Sequence, residues 1–235
     1  MEIIRDFFSL YKQRNVGALV LLRQILFTGV DAAGLIIFSS FVIASLIIVQ
    51  VSEISPNLSQ SQMVMTILVT VITRELATFI PALIIIARSG TAIASELGNM
   101  VINNEIESII SFGISPISYL VVPRVFGVIM SIFPLAIFFN AAGYLGSGLV
   151  LQSFYDVDFL DFITRISAEL KLDDLLKIFI KSVIFGFIIG VVSSFNGLSV
   201  QKASTEVPQR TSKAVVQGFA GIIVFDIIIA LLFNL

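Results

Sequence analysis

The chain of 235 residues is far more apolar than a soluble domain: 57% of its residues are hydrophobic, 13% are charged, and the mean hydropathy is +1.04. Because soluble domains carry roughly 25% charged residues, this composition predicts an integral membrane protein. The formal net charge of -2 offers no basic surface to nucleic acid, and the absence of Cys and His excludes disulfides, thiolate or imidazole metal sites, and Ser-His or Cys-His nucleophiles.

The first predicted element is an amphipathic helix within residues 1–22. Between Glu2 and Gln13, apolar side chains recur at i, i+3, i+4 and i+7 on one helical face, and polar side chains occupy the other. The segment is too short and too polar to cross a bilayer, so we expect it to lie in the cytoplasmic interface with its basic residues near lipid headgroups. The alternative is a solvated first helix that packs on its own domain.

Five later segments are long and apolar enough to cross about 30 Å of hydrocarbon, which takes roughly 20 helical residues. They are residues 32–51, 63–87, 125–150, 175–195 and 214–233. Of the fourteen Lys and Arg residues, nine fall on one side of these spans, four fall on the other, and Arg74 lies inside the second span. The positive-inside rule therefore predicts a cytoplasmic N-terminus and, with five spans, a C-terminus on the outer side.

The segment between the second and third spans, residues 89–118, is too polar to span but contains enough Ile, Leu and Met to fold. Residues 103–112 predict a short helix, with Asn103 or Asn104 as its N-cap and acidic residues in its first turn. Such a helix can dock a soluble partner, and packing on the protein's own surface is an equally open alternative. Its predicted contact residues are Asn103, Glu105, Ile106, Glu107, Ile109 and Ile110.

Residues 152–174, after the third span, predict a short acidic helix on the outer side. Its carboxylates lack the D-x-[DN]-x-[DN]-G order of a calcium loop, so we interpret them as a solvated face and expect no metal site. They are Asp156, Asp158, Asp161, Glu169, Asp173 and Asp174.

Four charged side chains lie deeper than the first turn of the predicted spans: Arg74, Glu75, Lys181, which is counted above with the outer side, and Asp226. Charge at membrane depth is costly and indicates a functional site by default. At 1.5 Å per residue, Lys181 and Asp226 lie about 9 and 10 Å from the outer ends of their spans, so we expect them to form an ion pair. We expect Arg74 and Glu75 to face a cavity; the alternative is that all four residues only hold the helices together.

Ordered motifs run through nearly the whole chain. The longest begins with Arg74-Glu75-Leu76 and Pro81 and continues from Ala87 to Met100 as ARSGTAIASELGNM. Others are Arg23-Gln24, Gly113, Pro116, Pro123-Arg124, Lys181-Ser182-Val183, Phe195-Asn196-Gly197, and Ala214-Val215-Val216 leading to Asp226. With these motifs the chain resembles the MlaE/YrbE family of ABC-transporter permeases, although residues 200–210 (VQKASTEVPQR) depart from the glycine-rich sequence of many members.

The resemblance implies an all-α integral membrane protein in which residues 1–235 form a single permease domain of five transmembrane helices. It implies a homodimer in the bacterial inner membrane that binds cytoplasmic ABC ATPase subunits through the coupling helix at residues 103–112. Outside, a periplasmic ring of MCE-domain proteins would exchange phospholipid with it and contribute to outer-membrane lipid asymmetry. A small regulatory subunit is a further partner that the resemblance allows.

The resemblance also implies an apolar phospholipid cavity at the dimer interface that opens toward the periplasm. By position, Ile47 and Leu76 would line this cavity, and Ile54 and Leu58 would lie at its outer rim. The remaining cavity residues would be Arg74, Glu75 and Lys181, which fall where family members carry polar or charged side chains.

The chain contains no G-x-x-x-x-G-K-[ST] phosphate loop, so we expect a non-enzymatic subunit without its own cofactor, with ATP bound by the partner ATPase. An intramembrane lipid enzyme that uses Glu75, Asp226 or the Glu105 and Glu107 pair is disfavoured, because these carboxylates lie on opposite sides of the membrane. A non-transporting membrane scaffold or a channel subunit is the remaining alternative.

Overall fold

The computed structural model describes residues 24–54, 62–155, 157–201 and 203–234, without the side chains of residues 53, 54, 62, 233 and 234. Within these ranges the chain forms helices joined by short turns, and no strand occurs among them. The predicted interfacial helix within residues 1–22 and the predicted rim residue Leu58 lie outside the described residues.

Five described helices are long and apolar enough to cross a membrane. We call them spans 1 to 5: Leu26–Ser52, Met63–Ile102, Ile117–Phe154, Leu172–Leu198 and Glu206–Leu232. Each predicted span coincides with one of these helices to within a residue or is contained in it. The predicted all-α fold with five spans is therefore confirmed.

The α-helices are α1 Asp31–Ile54, α2 Gln62–Leu68, α3 Ala77–Ile85, α4 Thr91–Ile102, α5 Glu105–Ser111, α6 Val122–Phe154, α7 Phe159–Glu169, α8 Leu172–Leu198 and α9 Glu206–Asn234. Four π-helical segments begin or interrupt the spans: Leu26–Val30, Val69–Leu76, Ile86–Gly90 and Ile117–Val121. Two of them lie in span 2, on either side of α3, which contains Pro81. Because proline has no N–H to donate and its ring crowds the carbonyl four residues earlier, the regular α-helical hydrogen bonding of span 2 is broken here.

The chain divides into two compact units. The first contains residues Ala82–Ile132, the residues from Val183 onward, and the described residues up to Ala32. The second contains Ala33–Pro81 and Phe133–Ser182.

In the first unit, α4 continues span 2 as a helix to Ile102, although the sequence predicts that the span ends at residue 87. Small residues explain why this polar stretch is helical and packed. A Cβ at Gly98 would lie 3.1 Å from a methyl group of Val200, and a Cβ at Gly197 would lie 2.7 Å from the carbonyl oxygen of Ala94. The helices can pack this closely only because side chains are missing at these positions.

In the second unit, glycines of α6 allow close contact with α1. A Cβ at Gly143 would lie 2.9 Å from the Ser40 hydroxyl oxygen, and one at Gly146 would lie 2.7 Å from the carbonyl oxygen of Phe41. The Ser40 hydroxyl also donates a hydrogen bond to the carbonyl of Phe139. Spans 1 and 3 therefore meet through backbone and small side chains.

We expect Gly197→Ala to destabilise the protein and Gly34→Ala to leave its stability almost unchanged. The new methyl group at position 197 meets a backbone oxygen that cannot rotate away, whereas no described atom of another segment lies within 4 Å of a Cβ at position 34. Overpacking of this kind costs about 1 to 3 kcal/mol. The measurement is the heat-induced loss of the monodisperse peak in size-exclusion chromatography in detergent, and equal midpoints for the two variants would contradict the packing.

Candidate functional site

Two ion pairs join span 2 to α8 within the second unit. Arg74 Nε lies 2.8 Å from Asp174 Oδ1, and Lys181 Nζ lies 3.3 Å from Glu75 Oε2. Arg74 and Glu75 are adjacent near the end of the π-helical segment Val69–Leu76 and so point in different directions around the helix. The two side chains reach separate partners because Asp174 and Lys181 are seven residues, about two turns, apart on the same face of α8.

The α8 members of the two pairs are buried and the span 2 members are partly accessible. The side chains of Asp174 and Lys181 are 3% and 5% exposed, whereas those of Arg74 and Glu75 are 28% and 45% exposed. Lys181 Nζ also donates a hydrogen bond of 3.0 Å to the Arg74 carbonyl. Asp174 Oδ2 accepts a hydrogen bond of 3.1 Å from the backbone N–H of Lys171. The ion pairs and the additional hydrogen bonds offset part of the desolvation penalty that burial of these charges imposes.

The structure brings together three of the predicted site residues, Arg74, Glu75 and Lys181, and adds Asp174. The sequence predicts that Asp174 belongs to a solvated acidic face; for this residue the prediction is wrong, because its carboxylate is buried against Arg74. Its position seven residues before Lys181 is the signal that sequence reasoning missed. The predicted pair of Lys181 with Asp226, a half-buried residue of span 5, stays a prediction.

The other predicted cavity residues lie in the second unit but are not part of this cluster. Ile47 in α1 and Leu76 at the end of the π-helical segment are half-buried. Ile54 is the last residue of α1, and its side chain is outside the described part of the structure. Their predicted place at a dimer interface stays a prediction.

A hydrogen-bonded trio lies one residue from the ion pairs, between spans 2 and 3. The Thr73 hydroxyl donates to Asn140 Oδ1 at 2.8 Å and shares a second hydrogen bond with the Tyr144 hydroxyl. Asn140 Nδ2 donates to the carbonyl of Ala136 at 3.1 Å. Polar groups of α6 and span 2 thus bond to one another at membrane depth.

The sequence model of one protein family, described as permease MlaE, matches residues 21–232 of the chain. The chain belongs to the MlaE permease family. The predicted resemblance is confirmed, and the five apolar spans make this MlaE-family permease a multi-pass membrane protein.

Relatives of this permease match most of its length. A probable ABC transporter permease protein of Rickettsia prowazekii is 28% identical over 216 residues, which are 91% of this chain and 83% of the relative. The intermembrane phospholipid transport system permease protein MlaE of Haemophilus influenzae is 26% identical over 211 residues, 89% of this chain and 81% of that protein. The chloroplastic protein TRIGALACTOSYLDIACYLGLYCEROL 1 of Arabidopsis thaliana is 26% identical over 212 residues, 90% of this chain and 61% of that protein.

The first unit of this permease carries a second candidate surface on α5. The helix begins at Glu105 after Asn104, which has a left-handed backbone with φ of 57°, and it lies inside the predicted segment 103–112. None of its residues is buried, and Ile110 and the following Phe112 are 56% and 82% exposed. Exposed apolar side chains next to one another are typical of a docking surface.

An ion pair holds the two ends of the α4 to α6 connection that carries α5. Arg124 Nη2 lies 2.8 Å from Glu96 Oε1, and the Arg124 side chain is 9% exposed. Arg124 Nη1 also donates a hydrogen bond of 2.8 Å to the carbonyl of Leu120. The exposed helix α5 therefore lies in a connection whose two ends are joined by the buried guanidinium of Arg124.

We expect Asp174→Asn to destabilise this permease much more than Asp173→Asn. The first change leaves the Arg74 guanidinium without its buried counter-ion, whereas Asp173 is an exposed neighbour on the same helix. Removing one member of a buried pair costs about 3 to 5 kcal/mol, and the partial exposure of Arg74 places the expected loss near the lower value. Thermal unfolding of both variants in detergent measures the difference, and equal losses would contradict the burial of this pair.

A double-mutant cycle with Lys181→Met and Glu75→Gln is expected to show a coupling free energy of about 0.5 to 3 kcal/mol, as residues in contact do. Unfolding free energies of the unchanged protein, the two single variants and the double variant complete the cycle, and additive effects would refute the pair. The same cycle with Asp226→Asn in place of Glu75→Gln tests the predicted pair of Lys181 with Asp226.

Proposed function

We propose that this protein is the permease subunit of an ABC transporter that moves phospholipid between the inner membrane and a periplasmic ring of MCE-domain proteins, contributing to outer-membrane lipid asymmetry. The observation that carries the proposal is the family match over residues 21–232. The name of the Haemophilus influenzae relative, a permease of intermembrane phospholipid transport, supports phospholipid as the substrate. The subunit works as a homodimer, with its N-terminus in the cytoplasm.

The accessible charges of span 2 suit a phospholipid substrate. Arg74 and Glu75 keep part of their surface accessible while their partners on α8 hold them in place. A guanidinium is well matched to a phosphate group, which it can bind through several N–H donors. In the proposed mechanism, Arg74 and Glu75 contact the headgroup region of the lipid, Lys181 holds Glu75 in place, and Ile47 and Leu76 contact the acyl chains.

The energy for transport comes from partner subunits that bind and hydrolyse ATP. In our proposal they dock on the surface formed by α5 and Phe112, and their closure pushes on the connection between spans 2 and 3. Span 2 contains both Glu75, which pairs with Lys181, and Glu96, which pairs with Arg124 across the connection that contains α5. A displacement of α5 can therefore bias two conformations of the same helix that carries the substrate contacts.

Phe112→Ser is expected to abolish co-purification of the ATPase subunit and leave the permease folded. The side chain is 82% exposed, so its removal disturbs no packing within the subunit but deletes an apolar contact at the proposed docking surface. Phe154→Ser is the matched control, because Phe154 is 78% exposed at the far end of span 3, the span that follows Phe112. Loss of the ATPase in both variants, or in neither, would contradict docking at α5.

Co-purification followed by mass spectrometry of bound lipids and proteins tests the proposed function as a whole. We expect phospholipid and an ABC ATPase to be recovered with the permease, and ATP-dependent phospholipid transfer after the complex is reconstituted in proteoliposomes. Recovery of neither lipid nor ATPase would refute the proposal. Ion conduction by the isolated protein would favour a channel subunit instead.

A further inference from the structure

A cavity of about 230 Å³ lies in the second unit beside the buried carboxylate of Asp174. Thr73 and Tyr144 line it from spans 2 and 3, and Leu175 and Ile178 line it from α8. None of the residues predicted for the phospholipid cavity at a dimer interface lines this one. The cavity therefore has its own lining, formed by residues of one subunit, although Asp174 in its wall is paired with Arg74.

The polar atoms around the cavity already have partners. The Tyr144 hydroxyl bonds to Thr73, and Thr73 bonds to Asn140. Asp174 is held by Arg74 and by the backbone N–H of Lys171. A water molecule needs two to four polar partners to occupy a cavity, and few remain here. The occupant that fits is apolar, and the cavity is larger than the engineered apolar cavity of about 150 Å³ that stays dry and binds benzene.

The position of the cavity along the spans shows where an apolar occupant would come from. Leu172 is the first residue of span 4 and Ile178 lies six residues later, so the cavity wall on α8 runs over about 9 Å of helix. Leu172, Leu175 and Ile137, which line the cavity, are 85%, 50% and 42% exposed. Exposed leucines at the end of a membrane span contact acyl chains of the surrounding lipid.

The mouth of the cavity carries a cation. Lys171 lines the cavity, is exposed, and directly precedes the first residue of span 4. A lysine at the end of a span extends its ammonium group toward the phosphates of the lipid headgroups. The carboxylate of Asp174 does not oppose a phosphate there, because Arg74 neutralises it. Asp173 is the other acidic side chain of this turn, and it is exposed.

We infer that the cavity holds part of one acyl chain of a bilayer phospholipid whose phosphate lies at Lys171. The chain enters past Leu172, runs along Leu175 and Ile178, and ends near the trio of Thr73, Asn140 and Tyr144. This site does not rest on the proposed transport function, since a permease for any substrate would bind the lipid in the same way.

The chain contains no Trp, so one introduced Trp reports on its own surroundings. We place the reporter at the mouth with Leu172→Trp and, as a control, one turn deeper on the same helix with Leu176→Trp. Leu176 is 58% exposed and is not a lining residue. The full-length variants are reconstituted in nanodiscs in which anionic phosphatidylglycerol with brominated acyl chains replaces an increasing fraction of a phosphate-free galactolipid and quenches Trp fluorescence.

The mole fraction of brominated lipid at half-maximal quenching is expected to be about fivefold lower for Leu172→Trp than for Leu176→Trp, the preference that one lysine at a lipid phosphate supplies. Adding Lys171→Gln or the cavity-filling change Leu175→Phe to the Leu172→Trp variant should remove this preference. Lys177→Gln and Leu176→Phe are the matched controls and should retain it.

Three results would overturn the inference. Equal quenching curves for the two reporters would mean that no lipid is selected at the mouth. Absence of quenching for Leu172→Trp alone would mean that protein, such as a second copy of the chain, covers the cavity. A preference that survives both Lys171→Gln and Leu175→Phe would mean that neither the phosphate nor the acyl chain binds where we place it. The assay contains no ATPase and measures no transport, so its failure is distinct from failure of the proposed function.

Discussion

Charge that is buried between apolar helices has to be paired, and the arrangement of span 2 against α8 depends on this constraint. An unpaired ion at the positions of Asp174 or Lys181 would cost several kcal/mol even after local relaxation. Each instead meets a counter-ion on span 2, where Arg74 and Glu75 are adjacent. The two pairs also set the register of the helices, because a shift by one turn, about 5.4 Å, would break both.

Span 2 departs from regular α-helical geometry at the level of these pairs. The π-helical segment Val69–Leu76 ends beside them, and Pro81 follows in α3. Lys181 bonds to the carbonyl of Arg74 as well as to the carboxylate of Glu75, so the buried ammonium contacts both backbone and side chain of span 2. A lysine is suited to this role because three donors on one nitrogen can meet acceptors in different directions. The buried ammonium group of Lys181 therefore stabilises span 2 at the place where its helix is irregular.

The same span connects features that serve different tasks in the proposed transporter. In the second unit, span 2 contains Arg74 and Glu75, which contact the substrate in our proposal. In the first unit it contains Glu96, whose ion pair with Arg124 joins the two ends of the connection that contains α5. The inferred acyl-chain site lies beside the charged cluster but uses other residues. A bound lipid there would contact α8 and span 2 next to Asp174 and so would stabilise the arrangement on which the ion pairs depend.

The sequence by itself determined the five spans, the position of α5 and the family, because hydropathy over twenty residues, an N-cap with an acidic first turn, and ordered motifs are all local patterns. Only the tertiary structure decided how the charges combine. Depth counted along the spans matches Lys181 with Asp226, and it does not reveal that Lys181 Nζ lies 3.3 Å from Glu75 on another helix. Asp174 lies in an acidic stretch at the end of a span, so composition predicts that it is exposed. It is buried because it pairs with Arg74, which lies 100 positions earlier in the sequence. The continuation of span 2 through α4 likewise depends on Gly197 and Val200, far along the chain, because a polar helix becomes stable only when a distant segment fits against its small residues.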